Sequence, residues 1–301
     1  MVCQVNQEKN YKNPGIWTTI GGIAAGTATE IGCVAIQKPI AGSIMKNMVQ
    51  LSNTLNKDEF TAVDKALEKT ITQSGLKDKG VEIIKATADN KKKIEDILLN
   101  VFKNNFFTRL FPEKQRKNAA KEIFDIVHKG KNAFYEPVSK KVVVPETKLK
   151  LAIFHELGHA MNANLSTVGK LLPKSRLAVV LTAPVSLIAL LKHKKASNEK
   201  PKSGFDKTTT FIKNNAGLLT FASFIPMLTD EGLASFKGNK FAKELLNPDL
   251  ARKVSKTNIM GFSTYLLMAV LCGTGVHLGV KLKDYIVSRK INNQNKETVN
   301  N

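Results

Sequence analysis

The sequence predicts a mainly α-helical chain with a small β-sheet and several transmembrane helices, and three observations carry that expectation. Long apolar runs with few charges recur near the N-terminus and through the C-terminal half. Apolar residues at helical spacing fill much of the region between them, and one short stretch switches to β-branched residues bounded by turn signals.

The first apolar run, residues 16–36, is long enough to span a bilayer, with Gly22 and Gly26 at the spacing of close helix packing and Glu30 in its middle part. It follows Lys9 and Lys12 and lacks a clear small-residue cleavage site, so residues 1–43 are expected to be a tail and a retained membrane helix. Residues 44–130 change to Lys, Asn, Asp and Glu, with Phe60, Val63, Leu67 and Ile71 at helical spacing, and are expected to be a soluble helical region. Asn56 and Asp58 suit a helix start, Ser74-Gly75 a stop, and Pro112-Glu113 the first turn of a helix ending at Gly130. Lys91 to Lys93 head another helix as a solvated face.

Residues 132–144 read as a strand, a turn around Glu136-Pro137 and a second strand closed by Pro145, with 141–144 at the sheet edge. The next helix is expected over 146–164, with Leu149, Ile153, Leu157 and Ala160 on one face. Lys148 and Lys150 near its start make it a soluble helix and argue against a site buried in lipid. Three further apolar runs follow, at 177–191, 211–229 and 258–280. The last is the best membrane span and is followed by Lys281 and Lys283; in the second, Lys213 is placed to snorkel. The expected organisation beyond residue 130 is a core at 131–176, a membrane hairpin at 177–229, a helix at 230–257 that carries a candidate third metal ligand, and a membrane helix with a basic tail at 258–301.

Charge narrows the partners. Lys and Arg number 46 against 25 Asp and Glu, a net charge of +21. Nucleic acid and an anionic membrane both suit such a balance, and the apolar runs together with the lack of a nucleic-acid-reading motif favour membrane lipid. Three scattered cysteines, Cys3, Cys33 and Cys272, argue against a disulfide framework and a cysteine-ligated metal.

The chemistry-bearing segment is His155-Glu156-Leu157-Gly158-His159, an H-E-x-x-H motif, in a chain with five histidines. One helical turn separates His155 and His159, so both imidazoles can reach one Zn2+ ion. Glu156 lies beside them as the general base for a zinc-bound water. His128, His193 and His277 stand alone and read as packing, surface or loop residues. A catalytic zinc needs a third protein ligand, and the acidic pair Asp230-Glu231 is the best source, Glu231 being favoured on reach and on the Glu-x-x-Ala pattern. The plainer reading of that pair is a helix N-terminal cap. Tyr135 is a weak candidate for an oxyanion donor.

These residues together, Asn132-Ala133-Phe134, the strand at 141–144, His155-Glu-Leu-Gly-His159, an apolar hairpin and Glu231-x-x-Ala234, resemble the gluzincin membrane proteases, the group of the CAAX prenyl proteases and bacterial heat-shock membrane proteases. The resemblance covers about 132–236. It implies a zincin-like catalytic domain, one zinc per chain held by His155, His159 and Glu231, Glu156 as base, and a multi-pass protein of the cell membrane that cleaves peptide or membrane-protein substrates. Where that family has Asp four residues after the glutamate, this chain has Ser235, so the carboxylate that would orient a ligand histidine is missing or supplied elsewhere. The competing expectation is a non-catalytic membrane scaffold or binding protein with a structural or vestigial metal site.

Overall fold

The structure is a computed structural model and describes residues 15–104, 108–167, 169–192 and 203–300. The helices are α1 (Ile16–Asn53), α2 (Lys57–Gln73), α3 (Lys91–Asn104), α4 (Glu113–His128), α5 (Ile153–Leu165), α6 (Leu172–Ser175), α7 (Thr182–Leu191), α8 (Gly204–Asn214), α9 (Ala216–Ser223), α10 (Ile225–Leu245) and α11 (Pro248–Asn300). The strands are β1 (Glu82–Lys85), β2 (Phe134–Glu136) and β3 (Lys141–Val144). The protein is therefore mainly helical with one three-stranded sheet, and α1 and α11 are long and apolar enough to cross a membrane. The chain divides into two compact units. One holds residues up to 37, 179–223 and 268 onwards, and the other holds 38–178 and 224–267.

In the second unit, local signals set the helix ends. Asn56 accepts from the Glu59 N–H while the Glu59 side chain accepts from the Asn56 N–H, a complete capping box that starts α2. Gly75 and Gly130 take positive φ just past α2 and α4, where a side chain would strain the backbone. The sheet order is β1-β3-β2, with β1 parallel and β2 antiparallel to β3. The helical reading of 44–130 missed β1, because Glu-Ile-Ile-Lys becomes a strand only through pairing with β3 almost sixty residues later. The same pairing corrects the expected edge: 141–144 is the central strand, and β1 and β2 are the edges.

Being central, β3 is buried on both faces. Val142 and Val144 join the core built from Val63, Leu67, Leu157 and Leu250, whereas Val143 faces a second cluster of Ile84, Ile94, Leu98 and Phe124. Its Val-Val-Val run is what a doubly covered strand needs. His128 is a packing residue, stacked on Phe124 with Nδ1 2.7 Å from the Ala86 carbonyl.

The helix expected over 146–164 begins later. Leu149 has φ 55°, a 3-10 turn covers Lys150–Ala152, and α5 starts at Ile153, so the H-E-x-x-H motif occupies its first turns instead of its middle. Lys150, read as a solvated charge, is 2% exposed, ion-paired with Asp64 of α2 and held over the Phe60 ring. Its charge is buried in protein, and burial pushes its pKa below the ordinary lysine value despite Asp64.

In the other unit, α1 lies against the C-terminal part of α11 at Gly26, where a Cβ would meet the Gly279 carbonyl. Glu30 accepts a 2.6 Å hydrogen bond from Ser186. The first run expected in the hairpin forms a 3-10 segment, Arg176–Leu181, that leads into the ten-residue α7, and the second forms the pair α8 and α9, of eleven and eight residues, so neither run is one helix of spanning length. The chain leaves the second unit after Ala178 and re-enters it at Phe224. Lys213 does not snorkel: it is 7% exposed and ion-paired with Asp284 at 2.8 Å. Cys3, His193 and most of the loop expected at 192–210 lie outside the described residues.

Candidate metal centre

The site is built where α5 and α10 cross. A Cβ on Gly158 would run into the backbone of Ala234, and one on Gly238 into the carbonyl of Phe154, so these helices touch backbone to backbone. Asn162 continues the series by donating to Oδ1 of Asp230 at 2.9 Å. The pairs Phe154–Gly238, Gly158–Ala234 and Asn162–Asp230 step by four in opposite directions, so the two helices are antiparallel. That register places one face of the motif helix against the acidic turn of α10.

The expected residues meet there. His155 Nε2 is 3.0 Å from Glu231 Oε2, His159 Nε2 is 3.3 Å from the same oxygen, and the two Nε2 atoms are 3.1 Å apart. Ligand atoms at 2.0–2.1 Å around a tetrahedral zinc are separated by about 3.3 Å. The triangle therefore has the size of one face of such a site, and His155, His159 and Glu231 could hold a metal ion. The plain cap reading of the acidic pair is corrected: α10 begins at Ile225, so Asp230 and Glu231 lie in its second turn, both buried.

The outward ring nitrogens are also matched. His155 Nδ1 is 3.1 Å from Ser235 Oγ, and His159 Nδ1 is 3.5 Å from Asp230 Oδ2. In the Nδ1–H tautomer each of these protons has an oxygen beside it, and each Nε2 keeps its lone pair for an ion. Ser235, one turn after Glu231, serves His155 directly, and Asp230 brings a carboxylate to His159.

Glu156 is buried beside this triangle, and its Oε2 accepts a 2.9 Å hydrogen bond from the Tyr135 N–H on β2. The Tyr135 hydroxyl accepts from Asn164 at 2.7 Å. Arg176, in the turn after α6, donates from Nη2 to Glu231 Oε1 at 2.7 Å and to Asp230 Oδ2 at 2.6 Å, and from Nε to Asp230 Oδ2 at 2.7 Å. Sequence reasoning counted Arg176 only as one more basic residue. The usable signal was that it is one of five arginines among 46 basic residues, and a guanidinium fork can bridge two carboxylates.

The electrostatics favour positive charge at the triangle. Burial raises the Glu156 pKa above the usual carboxylate range, and the two histidines only partly offset it. Burial also opposes ionisation of Glu231 and Asp230, but the two histidines hold Glu231, and His159 with Arg176 holds Asp230, below their ordinary values. Burial resists charge on His159, yet Asp230 and Glu231 beside it raise its pKa to about 9. A spot that stabilises a buried imidazolium this strongly suits a cation ligated by the same groups.

No family model, curated protein or solved structure matches the chain.

Proposed function

We propose that the chain is a membrane-anchored zinc metallopeptidase, a divergent relative of the gluzincin membrane proteases with a zincin-like catalytic core. The observation that carries this reading is the convergence of His155 Nε2, His159 Nε2 and Glu231 Oε2 to within 3.0–3.3 Å of one another, with Glu156 next to His155 on the same helix. Three protein donors leave one coordination place for substrate chemistry, whereas structural zinc sites are closed by four. Zinc bound there supplies Lewis acidity towards a carbonyl and a water acidic enough to deprotonate near neutral pH.

The chain's own residues take the remaining roles. Glu156, held by the Tyr135 N–H, accepts the proton and returns it to the departing amine, and its raised pKa suits both halves of that transfer. An extended peptide pairs with the outer edge of β2, where the Tyr135 main chain faces away from β3 and towards Glu156. Ser235 and Asp230 hold the imidazoles in the ligating tautomer.

A membrane setting suits two features: the apolar lengths of α1 and α11, and the exposed Leu187, Leu191, Phe211 and Leu218 in the runs between α5 and α10. The lysine excess suits anionic lipid. The scaffold reading rested on Ser235 standing where an acid was expected and on the lysine excess, and the contacts of Ser235 and Asp230 weigh against the first of these. Glu156→Gln is the test. It should lower cleavage of peptide or membrane-protein substrates by at least about 10²-fold while about one zinc per chain is retained; cleavage at the wild-type rate would remove Glu156 from the mechanism.

A further inference from the structure

The Glu231 carboxylate is used asymmetrically. Its Oε2 faces both imidazoles, at 3.0 and 3.3 Å, and its Oε1 is held by Arg176 Nη2 at 2.7 Å. The same Nη2 lies 2.6 Å from Asp230 Oδ2, an oxygen that Arg176 Nε also reaches at 2.7 Å and that faces His159 Nδ1 at 3.5 Å. Nη2 is 3.4 and 3.5 Å from the two ring nitrogens of His159. One guanidinium therefore touches a candidate ligand carboxylate, the carboxylate that orients a candidate ligand imidazole, and that imidazole itself.

We propose that Arg176 is the positioning residue of the metal centre, and that it makes Glu231 a one-oxygen ligand. The inference rests on the metallopeptidase reading. A carboxylate free to rotate can offer a metal one oxygen or both, and taking both would fill the place that the substrate carbonyl needs. By occupying Oε1, Arg176 leaves Oε2 to complete the triangle. By fixing Asp230, it keeps the His159 proton on Nδ1.

Charge balance supports the same role. Glu156, Asp230 and Glu231 bring three negative charges into a buried site, and Arg176 reduces the excess to what one divalent ion neutralises. A lysine would supply the charge without the fork that spans Asp230 and Glu231. The opposing effect is repulsion between the guanidinium and a divalent ion. If that effect won, removal of Arg176 would tighten metal binding, so the sign of the change decides the matter.

The experiment compares wild type, Arg176→Gln and Arg176→Lys as full-length protein in detergent. Zinc affinity is read by competition with a chromophoric chelator, and coordination is read from the visible d–d absorption of the cobalt(II)-loaded protein. Thermal unfolding of the metal-free proteins checks that each variant folds. Arg176→Gln should weaken zinc binding by about 10–100-fold. Its cobalt band should weaken as Glu231 supplies a second oxygen and the ion becomes five-coordinate. Arg176→Lys should lose less affinity but still alter the band, because one nitrogen cannot hold both carboxylates; if Arg176→Gln does not fold, the band of Arg176→Lys decides. Wild-type affinity and band in the variants, or tighter zinc binding by Arg176→Gln, would overturn the proposal while leaving the metal centre standing. A wild-type chain that binds neither zinc nor cobalt would overturn the centre itself.

Discussion

Gly158 of α5 faces the backbone of Ala234 on α10 so closely that no side chain fits between them. This contact sets the depth at which the two helices meet. That depth brings the imidazoles of His155 and His159 to a carboxylate at Glu231, 72 residues beyond His159. Shape at a glycine and chemistry at its neighbours are one feature here.

Gly158→Ala should therefore act on stability and on the site together. Ordinary overpacking costs about 1–3 kcal/mol, and the obstacle here is main chain, so the upper end is expected. Urea unfolding of the solubilised protein should show a loss of about 3 kcal/mol and a lower zinc content at equal free zinc.

Ser235→Ala isolates the orientation of His155. The serine oxygen is 3.1 Å from Nδ1 and touches no ligand atom of the triangle, so its removal should leave the fold intact. Zinc affinity should fall by about tenfold, at the low end for partners of metal-ligating histidines. Chelator competition measures it.

The buried pair of Lys150 and Asp64 gives predictions away from the metal. Asp64→Asn strands an ammonium that is 2% exposed and should cost about 2–3 kcal/mol. Because the Asp64 side chain is 37% exposed, this falls below the full cost of breaking a buried pair. Lys150→Met removes the charge and should be neutral or stabilising. The pH dependence has a definite sign. Burial lowers the folded pKa of Lys150, so the unfolded chain binds more protons between that value and the ordinary lysine pKa. The contribution of Lys150 therefore rises with pH through that window, up to about pH 10.4. Denaturation curves taken over the alkaline range below about pH 10.4 should show this rise in wild type and less of it in Lys150→Met.

The apolar lengths of α1 and α11 predict that the full chain stays with the membrane fraction through an alkaline carbonate wash and needs detergent for release. Recovery in the carbonate supernatant would remove the membrane part of the account.

Local relationships were legible in the sequence. His155 and His159 lie one turn apart on any helix, Asn56 with Glu59 marks the start of α2, and a strand-turn-strand follows from the residues around Pro137. Glu231 was reachable because catalytic zinc chemistry demands a third ligand. Relationships created only by packing were not legible. Lys150 looked solvated because its partner Asp64 lies on a helix more than eighty residues earlier. The strand at 141–144 looked like an edge because β1, its parallel neighbour, carries no alternation of its own. Arg176 was hidden among lysines, since its contacts with Asp230 and Glu231 cross 54 and 55 residues. Leu149 delayed the start of the predicted helix through a positive φ that leucine rarely adopts.

The central claim is that Glu231 completes a zinc centre with the two histidines, and metal analysis of purified wild type against Glu231→Gln tests it most directly. The account predicts about one zinc per chain in wild type and a substoichiometric content in the variant, with both proteins folded. Full zinc in Glu231→Gln, or none in wild type after purification with zinc present, would contradict it.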